Sequence, residues 1–117
     1  MIKAYTDLEQ SKRLAEILPL DSADCYWSYD SLQGFHRIEW FEDGYNKLSQ
    51  LGEKDIPCWS LAALLDQLTT PLISHRKNGK WSCYDFSGGK TKESYGELTA
   101  VDGCVKLICE INDKAKN

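Results

Sequence analysis

The chain lacks an apolar run long enough to cross a bilayer. Its longest apolar-rich segment, residues 56–68, is broken by Pro57, Ser60, Asp66 and Gln67 and falls short of the roughly 20 residues a membrane helix requires. The first residues, Met1-Ile2-Lys3-Ala4-Tyr5-Thr6-Asp7-Leu8, turn polar at once and hold no apolar stretch of the kind a secretory leader needs. A cytoplasmic location is therefore expected. The five cysteines include no C-x-x-C pair. An odd count without an export signal reads as free thiols in a reducing compartment, not as a disulfide framework. There is also no strong excess of one charge: 14 Lys and Arg face 18 Asp and Glu, for a net charge of −4. That balance does not mark a dedicated polyanion binder. No internal repeat or low-complexity tract is present, and no stretch carries a cofactor motif.

What remains is ordinary globular composition, 42% hydrophobic and 27% charged over 117 residues. A chain of this length buries roughly two thirds of its unfolded surface and folds as one domain without a metal or disulfide staple. Thr6-Asp7-Leu8-Glu9 fits a capping box and predicts a first helix from about Asp7, with an apolar stripe of Leu8, Leu14, Ala15, Ile17 and Leu18 ended by Pro19. Residues 25–29 and 35–41, joined by Asp30-Ser31-Leu32-Gln33-Gly34, predict a β-hairpin. In its second strand His36, Ile38 and Trp40 form the more apolar face, expected to meet the core. Residues 42–55 are polar and acidic and predict a mobile loop, although Tyr45, Leu48 and Leu51 also fit a short helical turn.

Leu61, Leu64, Leu65 and Leu68 follow helical spacing after Ser60 as N-cap, and Thr69-Thr70-Pro71 closes that helix. Asn78-Gly79 predicts a type I′ hairpin between residues 72–77 and 80–86. Its two-residue register sets Arg76 beside Trp81, His75 beside Ser82 and Ser74 beside Cys83. Residues 91–95 could add an edge strand. Thr99 caps a last helix carrying Val101, Cys104, Val105, Ile108 and Ile111, with a tail from Asn112, residues 113–117 above all, expected to fray. The order αββαββα predicts an α+β domain of two layers, with a mostly antiparallel sheet and three helices.

Three groups of residues invite a functional reading. Trp27, Trp40, Trp59 and Trp81 exceed what a core of this size needs, and exposed aromatics anchor protein interfaces; Trp27, Trp40 and Trp81 are the partner-binding candidates. Arg76, Lys77, Lys80, Trp81 and Tyr84 mix cations with rings as single-stranded nucleic-acid sites do. Against this, residues 58–117 carry eight basic and seven acidic side chains, while residues 1–57 carry six and eleven. Cys58, just before a helix start, and His75 are the pieces of a possible thiol enzyme, yet the apolar neighbours of Cys58 read as a packed core entry, so no catalytic residue is assigned. Dispersed Cys25, Cys58, Cys83, His36 and His75 lack the close ligand pair of a metal site. Neither metal nor cofactor is expected. The acidic cluster of Glu39, Glu42, Asp43, Glu53 and Asp55 reads as solvated surface.

Three stretches carry a resemblance: residues 5–19 (YTDLEQSKRLAEILP), residues 56–65 (IPCWSLAALL) and Val101-Asp102. They resemble a family of small uncharacterised proteins from gut bacteria and their phages or mobile elements, with residues 30–55 and 87–98 outside the match. The resemblance implies no activity. It agrees with a non-catalytic protein that binds a host or phage protein, with nucleic-acid binding through residues 72–92 and a small cysteine enzyme as alternatives.

Overall fold

The structure, a computed structural model, describes residues 3–75, 78–86, 92–97 and 99–115, with the backbone alone at 92–96 and 115. Its elements are α1 (Leu8–Ala15), β1 (Cys25–Asp30), β2 (Phe35–Trp40), α2 (Lys47–Gln50), β3 (Ile56–Cys58), α3 (Leu61–Asp66), β4 (Pro71–His75), β5 (Trp81–Asp85), β6 (Lys92–Glu97) and α4 (Ala100–Ala115), with a 3-10 turn at Leu20–Ser22. The molecule is an α+β domain with antiparallel strands. These form two three-stranded sheets, β2-β1-β3 and β4-β5-β6. The radius of gyration is 15.0 Å and the extents are 46 × 30 × 27 Å, longer than the about 13 Å radius of a compact chain this size.

Helix α1 starts one residue later than Thr6 as cap would place it. Asp7 is the N-cap: its carboxylate accepts from Gln10 N at 2.8 Å, while Gln10 Oε1 accepts from Asp7 N at 3.1 Å. Thr6 is instead fully buried, its hydroxyl on Ser11 Oγ at 2.7 Å and accepting from Trp59 N at 3.2 Å. Ser60 and Thr99 do cap α3 and α4, accepting from Ala63 N at 3.2 Å and Asp102 N at 3.0 Å. Helix α4 continues to Ala115, past the Asn112 boundary read from polarity. The segment 42–55 contains the single-turn α2, and Gln50 binds the backbone of Glu42 and Tyr45 across it.

Strand β3 has no counterpart in the sequence reading because it contains Pro57. Phe41 N donates to Asp24 O at 3.2 Å, which fixes the alternation along the β1–β2 ladder. With Cys25 opposite both Trp40 and Cys58, Tyr26 and Pro57 then form a pair that exchanges no backbone bonds, so the missing N–H of Pro57 costs nothing there.

The core joins α1, α3, α4 and the second sheet. Leu14, Trp59, Leu64, Cys83, Val101, Cys104 and Leu107 are essentially inaccessible. Helix α4 lies on β5, β6 and α3, and α1 lies on β3 and touches α4. Asp102 ties these parts together, accepting from Lys3 Nζ at 2.7 Å and Gln10 Nε2 at 2.8 Å.

Candidate functional site

The four tryptophans occupy different environments. Trp59 is fully buried and donates through Nε1 to Ser22 Oγ at 2.9 Å. Trp27 is half-buried; its Nε1 donates to Thr6 O at 3.1 Å and its ring meets Tyr5 edge-on at 5.7 Å, so it clamps the N-terminal segment to β1. Trp40 leaves 56% of its surface exposed. It was expected on the core face with His36 and Ile38. It does share their face, but it lies at the end of an outer strand where nothing described covers it.

The second hairpin corrects the expected register by one residue. His75 pairs with Trp81, Ser74 with Ser82 and Ile73 with Cys83. Gly79 takes φ +80° while no described non-glycine residue has positive φ, so Asn78 does not supply the second left-handed residue of a type I′ turn. This register puts His75 against Trp81, with rings stacked at 4.3 Å and 9°. Arg76 and Lys77 lie outside the described residues. Lys80 is half-buried, and Trp81 and Tyr84, three positions apart in β5, project to opposite faces of the sheet. The rings grouped as one nucleic-acid surface are therefore divided, and one face of Trp81 is already occupied by His75.

Four of the five thiols are fully buried and sit in two pairs. Cys83 Sγ and Cys104 Sγ are 3.4 Å apart. Cys25 and Cys58 are cross-strand partners. Hydrogen bonding from Cys25 brings Cys58 down to about 7 against the opposing effect of burial, with Thr6 and Ser11 assisting, while Cys25 is pushed up by the same contact and by burial. The histidines lie elsewhere: His36 Nε2 meets Lys54 O at 3.3 Å and His75 stacks on Trp81. Among the described residues no three His, Cys, Asp or Glu side chains gather as a metal site. No described helix is long and apolar enough to cross a membrane. A cleft of about 260 Å³ between α1, α3 and α4 is lined by Ile17, Leu18, Leu68, Ile108 and Ile111 with Gln67 and Asn112.

The feature that sequence reasoning missed is the outer edge of β2. Among the described residues no strand pairs with it beyond β1. Its six residues, Phe35-His36-Arg37-Ile38-Glu39-Trp40, include neither the lysine nor the proline that commonly guards an edge. The ladder alternation directs the N–H and C=O of Arg37 and Glu39 toward β1 and those of His36, Ile38 and Trp40 outward. Tyr29 N, turned away from β2 by the same alternation, donates to Asp55 Oδ1 at 2.9 Å. Phe35 and Trp40, 47% and 56% exposed, mark the two ends of the edge. The signal in the sequence was an outer strand with neither lysine nor proline, its charges limited to Arg37 and Glu39, legible only once the strand order is known.

No protein-family model, curated protein or solved structure matches this chain.

Proposed function

We propose that this protein is a non-catalytic binding module that takes an extended segment of a protein partner as an added strand on β2. The observation that carries this reading is the outer edge of β2, which no described strand pairs with beyond β1 and which ends in exposed Trp40. Strand addition draws affinity from main-chain hydrogen bonds and specificity from alternate side chains, and a ring left in water at that edge supplies an anchor. The resemblance noted above supports a partner belonging to a bacterial host or its phage, met in the cytoplasm. Stacking of His75 on Trp81 and the division of Trp81 from Tyr84 favour a protein partner over single-stranded nucleic acid.

Trp40→Pro tests the reading, because it removes one outward N–H without touching a β1–β2 ladder bond. In capture from nuclease-treated lysate that also contains the untagged chain, the wild-type chain should retain a stoichiometric protein, a second copy of itself included, that the folded variant loses. Equal capture by both chains, or capture that disappears with nuclease, contradicts the reading.

A further inference from the structure

We infer that the strand β2 accepts is β2 of a second copy of this chain, antiparallel and centred on Ile38. The inference rests on the strand-addition reading and adds the identity of the partner. Its basis is the charge order of residues 35–41, Phe-His-Arg-Ile-Glu-Trp-Phe, which is complementary to itself when reversed. Two copies related by a two-fold axis at Ile38 set Arg37 opposite Glu39 of the second copy, and Glu39 opposite its Arg37. His36 faces Trp40 of the second copy twice. Opposite charges and ring pairs directly across a ladder are the favourable cross-strand combinations.

The backbone accepts this centre. His36, Ile38 and Trp40 direct their N–H and C=O groups outward, so Ile38 exchanges bonds with Ile38 of the second copy and His36 with its Trp40. The neighbouring registers that keep outward groups facing one another are centred on Arg37 or on Glu39, and each brings like charges together at its axis. One register is therefore selected, as specific pairing requires. Within one chain Arg37 Nε and Glu39 Oε1 stand 3.5 Å apart, with 63% and 45% of their side chains exposed. Both are thus free to turn toward a neighbour at little cost. The contact is isologous, so it closes at two copies and produces one six-stranded sheet.

Sedimentation of the full chain, from roughly micromolar to roughly millimolar concentration, tests this directly. The expected result is a reversible shift from the 13.3 kDa chain toward twice that mass. Arg37→Glu alone and Glu39→Arg alone should each weaken the dimer about tenfold or more, since each replaces two attractive cross-strand pairs by repulsive ones. Combining both reversals should restore assembly to within about threefold of wild type. Circular dichroism of each variant separates lost assembly from lost folding, and Trp40→Pro should be monomeric while folded. A wild-type chain that stays monomeric throughout, assembles beyond a dimer, or is not restored by the double reversal overturns the inference. A monomer whose lysate partner is still lost in Trp40→Pro keeps the strand-addition reading and removes only the second copy. If Trp40→Pro changes neither assembly nor capture, both fail.

Discussion

At the scale of single residues, Cys58 separates acidity from reactivity. Cys25 and the hydroxyls of Thr6 and Ser11 bring its thiol to about 7, yet none of its surface reaches solvent. A thiolate attacks only what can reach it. Alkylation under native conditions should therefore modify partly exposed Cys109 first, with Cys58 at least about tenfold slower and limited by opening of the fold. Rapid labelling of Cys58 would return a thiol enzyme to consideration. Asp102 makes a second prediction. Burial acts to raise its carboxyl, but hydrogen bonds with Lys3, Gln10 and Thr99 and the charge of Lys3 together bring it below its ordinary 3.8. Burial likewise acts to lower Lys3, and Asp102 and Asp7 outweigh it, raising the ammonium above 10.5. The Asp102 contribution is therefore present above pH 3.8 and lost as pH falls through the folded value. That of Lys3 is present below 10.5 and lost as pH rises beyond it. Asp102→Asn should cost about 1 kcal/mol at neutral pH, modest because the pair is partly solvated, and should flatten the loss of stability on the acid side. An unchanged acid limb in urea titrations would assign that loss to other carboxylates.

At the scale of elements, Trp40 and Trp59 make opposite predictions from the same residue type. Trp59→Ala empties a fully buried site and should cost about 3–5 kcal/mol. Trp40→Ala removes an exposed ring and should stay within about 1 kcal/mol while weakening association. Comparable destabilisation of both in denaturant unfolding contradicts the placement of Trp40 on an open edge. The same contrast shows what the sequence made legible. Local chemistry was readable: Ser60 and Thr99 as caps, the leucine spacing of α3, the apolar stripe of α4 and the existence of both hairpins follow from periodicity and capping alone. What depends on pairing was not. Asp7 took the cap from Thr6 because the Thr6 hydroxyl is engaged by Ser11 and Trp59 N, a contact across more than fifty residues. Pro57 concealed β3 because its tolerance depends on which neighbour it faces. A register shifted by one residue put His75 beside Trp81. Trp40 was read as a partner-binding candidate and also placed on the core face; its exposure follows from strand order, which no local pattern encodes.

At the scale of the whole molecule, the strands divide into two sheets held together by α1, α3 and α4, and that division leaves β2 as an outer strand. A single continuous sheet could have enclosed the same hairpin. The split instead leaves three residues with backbone groups directed outward, next to a self-complementary charge pair and an exposed indole. On the proposed pairing these outward groups are open in the separate chain and bonded on association. Residue-resolved amide hydrogen exchange, compared between dilute and concentrated protein, measures this most directly. The expected result is that Arg37 and Glu39 amides are protected in both conditions, while His36, Ile38 and Trp40 exchange freely when dilute and become protected as the chains associate. Protection of all five in dilute monomer, or no change on association, would contradict it.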